Sequence, residues 1–397
     1  MKGISCKELL NYIPDELLED LEEKTKVNQQ VKKLTGKIFF KLLLFSSLNT
    51  ERISLRVMEE FWNSEKFKTF SGKNNQKVKH SGIGDRLGNI DSKFFQEIFK
   101  YLSYKFEKEL NEKVKIGSKS FDLLKFDSTL VAISSNLIDF GMKGIAKNKS
   151  NKNQVKYTIG LKNFLPQDLK LFTEQSYTSE EVALREAILT SVDKQNSIVV
   201  FDRGLQRRKT FKDFSEKGIL FVTRLKNRVR YQEVRENKKV QGRKSETLVL
   251  KKDLIVKLKD ETEKFMSEKF RLIIGTSRET GEEFLFLSNI TDLNARTITD
   301  IYYDRWSIEM FFRFIKQELN FKHLVSRSKN GIEVMLYMTM ITAILLLVYK
   351  KRNKISGYKI AKLRFALELE MEIIKDIVFA CDGDISLISK FEKRVPT

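Results

Sequence analysis

Apolar positions along the chain change rhythm from one region to the next. Over residues 1–115 they recur at three- and four-residue steps in "DELLEDLEEKT", "GKIFFKLLLFSSL", "ISLRVMEEFW" and "DSKFFQEIFKYLSYKFEKEL", which predicts helices. A lysine-rich stretch, "SEKFKTFSGKNNQKVKHSG", reads as a turn between them. From residue 121 short apolar runs take over. "FDLLKFDSTLVAI", "KYTIGLKNFLPQDL" and "LKLFTEQSY" predict strands, "SEEVALREAILTSV" a helix, and "NSIVVFDRGL" a buried strand that turns on Gly204. The helix "RRKTFKDFSEKG" and the strand "ILFVTRLK" follow, and strand alternating with helix indicates an α/β sheet. Residues 228–292 carry strand patterns alone, "ETLVLKKDLIVKL", "KFRLIIGTS" and "EEFLFLSNI", with "RETGEE" as a hairpin turn. This β-rich block interrupts the α/β domain. A helix opens after "TDLNARTITD", with Thr297 as candidate N-cap and Asp300 in its first turn. The tail "KKRNKISGYKIAKLRFALELEMEII" is again helical.

Composition narrows the function. The 397 residues hold 74 Lys and Arg against 53 Asp and Glu, a formal charge of +21. Such an excess favours polyanions, nucleic acid or an anionic membrane surface, although a lysine-rich genome produces basic proteins too. Two cysteines near opposite ends, Cys6 and Cys381, and two histidines, His80 and His323, make neither a disulfide framework nor a histidine metal site. The N-terminus lacks a secretory apolar run, so a reducing, cytoplasmic setting is expected. "VMLYMTMITAILLLVY", Val334–Tyr349, is short for a bilayer span and reads as a buried core helix, with no membrane partner.

The stretch "YYDRWSIEMFFRFIK" carries the chemistry. On a helical wheel Tyr302, Arg305, Glu309, Arg313, Lys316 and Asn320 fall within roughly 80° of one another. Aliphatic and aromatic residues, among them Trp306, Ile308, Phe311, Phe312, Phe314 and Ile315, cover most of the remainder. A narrow polar stripe on an apolar helix fits an internal polar site; a surface helix with a thin solvent edge is the alternative. Buried charges need partners. Asp127, in "KFDST", and Asp202, ending the strand "SIVVFD", are candidates, because ligands gather at the carboxyl ends of strands in open α/β sheets. Two carboxylates about 4 Å apart repel by about 4 kcal/mol at an effective dielectric of 20. Divalent cations relieve that repulsion, and an all-oxygen donor set selects Mg²⁺ or Mn²⁺. A pair of ions roughly 3.5–4 Å apart suits phosphodiester chemistry.

At these residues the sequence resembles the DDE transposases of bacterial insertion sequences, and more closely their fourth family. Tyr302, Arg305, Glu309 and Lys316 match that family's Tyr-Arg-Glu-Lys spacing, "FDST" its first-aspartate motif, "VVFDRG" its second, and "FVTRLK" the strand that follows. The resemblance spans residues 121–345. It implies an α/β RNase H-like catalytic core with an inserted β-rich subdomain, preceded by an α-helical N-terminal domain and followed by a helical C-terminal tail. The expected boundaries are 1–115 for helices that bind DNA ends, 116–227 with 293–345 for the core, 228–292 for the insertion, and 346–397 for the tail.

The resemblance also implies metal-dependent cleavage at transposon ends and transfer of the 3′-hydroxyl into target DNA. Asp127, Asp202 and Glu309 are the implied catalytic and metal-holding residues, with two Mg²⁺ that Mn²⁺ replaces. Tyr302, Arg305 and Lys316 are the implied DNA contacts. Arg313 in the same stripe and Arg203 beside Asp202 join them as candidate DNA contacts, as do the basic segments 142–156 and 224–246. Double-stranded DNA, as terminal inverted repeats and target, is the expected partner, with a homodimer on DNA in a nucleoid-associated bacterial setting. The relatives' base-stacking aromatic has no tryptophan counterpart in the insertion, where Tyr231, Phe265, Phe270, Phe284 and Phe286 are available. A transposase-derived DNA binder without strand transfer and a structure-selective nuclease are the rival readings.

Overall fold

The computed structural model describes residues 3–72, 76–110, 113–132, 140–143, 153–191, 194–237 and 247–392. Much of the basic segment 142–156, and residues 238–246 of the segment 224–246, lie outside them. Contacts divide the described chain into two compact units, one holding residues up to 108 and from 313 onward, the other the residues between.

The first unit is helical. Its first helices are α1 (Cys6–Leu10), α2 (Asp15–Thr25), α3 (Gly36–Asn49), α4 (Leu55–Asn63), α5 (Glu65–Ser71), α6 (His80–Asn89) and α7 (Ser92–Leu110). Ser5, Thr35, Ser54 and Ser64 cap four of them by accepting from backbone N–H groups of the first turn. The lysine-rich stretch expected to be a turn is largely α5 and the start of α6. Phe67 and Phe70 explain this: they pack on Phe45 of α3 with ring centroids 5.6 and 5.5 Å away.

The second unit is built on a mixed sheet. Its strands are β1 (Val114–Ile116), β2 (Lys119–Ala132), β3 (Met142–Lys143), β4 (Asn153–Lys162), β5 (Leu165–Phe172), β6 (Ser197–Phe201), β7 (Leu220–Leu225), β8 (Tyr231–Glu236), β9 (Leu248–Leu258), β10 (Phe270–Ser277) and β11 (Glu283–Ser288). The order is β3-β4-β2-β6-β7-β11-β10-β9-β8, with β1 beside β2 and β5 beside β4. Among the described residues only β2–β6 and β6–β7 are parallel. The β-rich block therefore forms no sheet of its own. β11 pairs antiparallel with β7 and extends the same sheet, and the β10–β11 hairpin turns with Gly281 at φ +70°.

Helices α8 (Glu180–Thr190) and α9 (Arg208–Glu216) cover one face, burying Leu184, Ile188, Phe211 and Phe214 against Leu124, Phe126 and Phe201. α10 (Ala295–Asp304) covers the other, where Ile298 and Ile301 meet Ile198, Val200 and Phe286. α11 (Trp306–Glu318) follows after one residue. The helix foreseen here runs on through α10 and α11 with one irregular residue, Arg305, which keeps right-handed helical dihedrals (φ −54°, ψ −31°). Its N-cap is Asn294, whose side chain accepts from Thr297 N–H at 2.8 Å; Thr297 is inside the helix and Asp300 lies beyond the first turn. A short amide at 294 captures the orphan N–H three residues on, which leaves Thr297 nothing to cap.

The chain then returns to the first unit with α12 (Lys329–Arg352), α13 (Tyr358–Ala380) and α14 (Ile385–Glu392). By length and composition α12 could cross a membrane. Its residues from Val334 to Tyr349 are instead mostly buried, against helices of its own unit that include α3 and α13.

Candidate active site

The register of the parallel strands sets the first two carboxylates. Lys125 on β2 stands opposite Val200 on β6. Asp127, two residues further along β2, is therefore level with Asp202, the residue just past the end of β6. Asp202 sits just past the carboxyl end of β6, where the α/β architecture leaves room for a ligand, and Asp127 lies within β2, beyond its last parallel pairing with β6 at Lys125.

The electrostatics at this edge are unfavourable to charge. Burial first, and then the negative charges of Asp202 and Glu180, push the Asp127 carboxyl up to about 7, against the opposing pull of the Ser128 N–H and Arg305. Glu180, at the start of α8, is raised too, by desolvation and by Asp202, with Lys156 opposing. Gly204 leaves the space for this crowding. A Cβ there would lie 2.7 Å from the Glu180 carboxyl carbon and 2.8 Å from Asp202 Oδ1, the atom that accepts from Gly204 N–H. Glu180 has no sequence signal: an acid in the first turn of a helix reads as a dipole partner.

Glu309 lies on α11 with its side chain one-third exposed. One of its oxygens accepts from Arg305 Nη2 at 2.6 Å. Arg305 sits over the Tyr302 ring, 5.5 Å from its centroid. Burial opposes its charge, yet Tyr302, Glu309 and Asp202 hold it above its ordinary value. Burial raises the Tyr302 phenol, with Arg305 opposing. Tyr302, Arg305 and Glu309 thus form one contiguous cluster whose guanidinium senses Asp202.

Among the described residues no three His, Cys, Asp or Glu side chains stand as a metal-ligand set. The convergence of all three carboxylates is not present here: Asp127 and Asp202 are level, while Glu309 is engaged by Arg305. The donor chemistry still fits a hard cation, since oxygens are the only donors and their mutual repulsion is what such an ion removes.

Arg224, on β7, was foreseen as part of a strand motif and as the first residue of the basic segment 224–246. It lies 3.9 Å over the Phe284 ring and donates to Glu282 at 2.7 Å. Its charge is felt at the Tyr302 and Tyr303 hydroxyls. The Nε atoms of Arg224 and Arg305 are both buried and without a hydrogen-bond partner among the described residues. Two guanidiniums with unspent donors suit an oxyanion.

The other foreseen contacts are placed separately. Arg203 is exposed in the turn after β6. Arg313 is exposed and Lys316 half-buried, further along α11 and in the part of that helix that belongs to the helical unit. Of the aromatics in the β-rich block, Phe270 and Phe286 are core and Phe265 is 46% exposed. The exposed indole lies outside that block: Trp306, at the first position of α11, is 55% exposed.

A family model described as a transposase DDE domain matches residues 120–346, more than half of the chain and inclusive of every residue just placed. The chain belongs to this family. Its activity is that of a DNA transposase, an enzyme of phosphodiester cleavage and transesterification that binds DNA and works with divalent metal ions. A protein of Synechocystis sp. named as a transposase for insertion sequence element IS4SA is 23% identical over 272 residues, 68% of this chain and 72% of that one. Another, named as the transposase for element IS5377 of Geobacillus stearothermophilus, is 28% identical over 149 residues, 38% of each chain. Superposition on a piggyBac transposase synaptic complex with hairpin DNA gives a TM-score of 0.46 at 10% identity, over 99% of this chain and 85% of that one, a likeness too distant to carry an argument.

Proposed function

We propose that the transposase has an RNase H-like core in which Asp127, Asp202 and Glu309 hold two Mg²⁺, or Mn²⁺ in their place, and that it cleaves the ends of its own element. The level placement of Asp127 and Asp202 on neighbouring parallel strands carries this reading. The ions, when bound, supply Lewis-acid stabilisation of the attacking and leaving oxygens. The protein supplies the rest. Arg305 gives up Glu309, and its guanidinium turns with Arg224 and the Tyr302 hydroxyl to the phosphates next to the scissile bond. Lys316, Arg313 and Arg203 hold the flanking backbone of double-stranded terminal DNA.

In the first step water attacks phosphorus at the element's end and the 3′-oxygen leaves as a hydroxyl. In the second that hydroxyl attacks a target phosphodiester and displaces the target's own 3′-oxygen. The helices of residues 1–115 serve as the end-binding part, the protein acts as a homodimer on paired inverted repeats, and the setting is the bacterial cytoplasm. The spacing of Tyr302, Arg305, Glu309 and Lys316 supports the fourth insertion-sequence family. Incubation with labelled DNA carrying the element's own ends and Mg²⁺ or Mn²⁺ tests the reading. A nick at the end with a free 3′-hydroxyl, followed by joining, is expected. Tight binding without cleavage would instead indicate a DNA binder, and cleavage without joining or end preference a nuclease.

A further inference from the structure

We propose that Lys125 is a positioning residue for the carboxylate centre, its ammonium tethering the α10–α11 junction to the strand that carries Asp127. The inference rests on the reading of Asp127, Asp202 and Glu309 as one centre. Alternate residues of a strand share a face, so Phe121, Leu123, Lys125 and Asp127 form one row on β2. Phe121 and Leu123 pack against the apolar cluster that includes Ile298 and Ile301 of α10. Lys125 continues that row with a side chain only 2% exposed. A buried ammonium is costly unless paired, and a methionine would fill the same space without that cost.

The pairing is specific. Lys125 Nζ lies 2.7 Å from Asp304 Oδ2. Asp304 is the last residue of α10, and Arg305 alone separates it from α11. Ser307 Oγ donates to the Asp304 carbonyl at 2.7 Å, which ties the first turn of α11 to the same point. The junction is therefore pinned at its pivot, with Arg305 and Glu309 just beyond it. A small rotation of α11 about this pivot moves the Glu309 carboxylate relative to Asp127, and misplacements of about 1 Å cost catalysis on the order of a hundredfold.

The test compares full-length wild type with Lys125→Met, Lys125→Arg and Asp304→Asn. Four quantities are read: melting temperature, affinity for end DNA, Mn²⁺ binding by electron paramagnetic resonance without DNA, and single-turnover cleavage. Replacing a buried ion by an apolar group of similar volume is often neutral for stability. Lys125→Met should keep the fold and DNA affinity, weaken Mn²⁺ binding about tenfold, and slow cleavage by about 10–100-fold. Lys125→Arg, which keeps the cation, should recover most of both. Asp304→Asn, at a position 46% exposed, should repeat the losses and serves if Lys125→Met does not fold. Wild-type Mn²⁺ affinity and cleavage in Lys125→Met would overturn the tether, as would losses that merely follow the fraction of unfolded protein. Wild type that binds Mn²⁺ but fails to cleave end DNA would count against the reaction, while the Mn²⁺ comparison still decides the tether.

Discussion

Arg305 donates through Nη2 to Glu309 Oε1 at 2.6 Å, one turn apart on the α10–α11 segment. The arginine thus holds the carboxylate proposed as the third metal ligand. Glu309→Gln keeps the size and a hydrogen-bond acceptor for Arg305 but removes the charge. End-DNA affinity should stay within about twofold while cleavage falls by more than about a hundredfold, as for loss of an interaction made only in the transition state. Gel-shift and single-turnover assays on one preparation check both.

The acid–base state of Asp127 makes a pH prediction. Its carboxyl is pushed up to about 7, above the value of an unfolded aspartate, so the folded chain holds a proton there that the unfolded chain has lost. Its contribution to stability is complete below the unfolded value and disappears as pH rises through about 7. Metal-free wild type should lose melting temperature between about pH 5 and about pH 8, and Asp127→Asn should lose less. Divalent-ion binding expels the same proton, so apparent Mn²⁺ affinity should rise with pH and level off above the Asp127 value. Thermal melts and Mn²⁺ titrations at several pH values report these slopes.

Arg224 should behave as a phosphate contact. Arg224→Ala should weaken end-DNA binding across sequences and lower the slope of log affinity against log salt by about one. Binding isotherms over a salt series measure it. An unchanged slope would leave Arg224 as a partner of Glu282 and Phe284 only.

Much of this was legible in the chain. Short apolar runs marked β2, β6 and β7, and the placement of Asp127 within β2 and of Asp202 at the end of β6 followed from them. The irregular turn at Arg305 was not legible, because Tyr302, Arg305 and Glu309 keep helical spacing straight through it, and neither was the pairing of Asp304 with Lys125, far away in sequence. The union of β8–β11 with the main sheet was hidden for a similar reason, since alternation along β11 does not say that β7 is its neighbour. Arg224 and Glu180 matter through what surrounds them, which local spacing does not encode.

Trp306 offers a solvent-facing indole, which the β-rich block lacks. An exposed indole three residues before Glu309 is a candidate to stack on an unpaired base of the end DNA. Stacking contributes about 1–3 kcal/mol per base, so Trp306→Ala should weaken binding of frayed end DNA by about tenfold or more and Trp306→Phe by less. Fluorescence of 2-aminopurine at the terminal positions follows the base directly.

The approach to α10 depends on a buried ion pair. Arg271 and Asp253 are fully buried and joined by two bonds of 2.9 and 2.8 Å, and Arg271 Nη1 also donates to the carbonyls of Ile290, Thr291 and Leu293. Asp253→Ala leaves that guanidinium uncompensated and should cost about 3–5 kcal/mol. Denaturant unfolding measures the loss.

Anomalous scattering from Mn²⁺ in crystals of the transposase on its end DNA tests the central claim most directly. The account predicts two peaks, with Asp127, Asp202 and Glu309 as ligands and Arg305 turned from Glu309 to a phosphate. Peaks placed elsewhere, or Glu309 still bonded to Arg305 beside an occupied metal site, would contradict it.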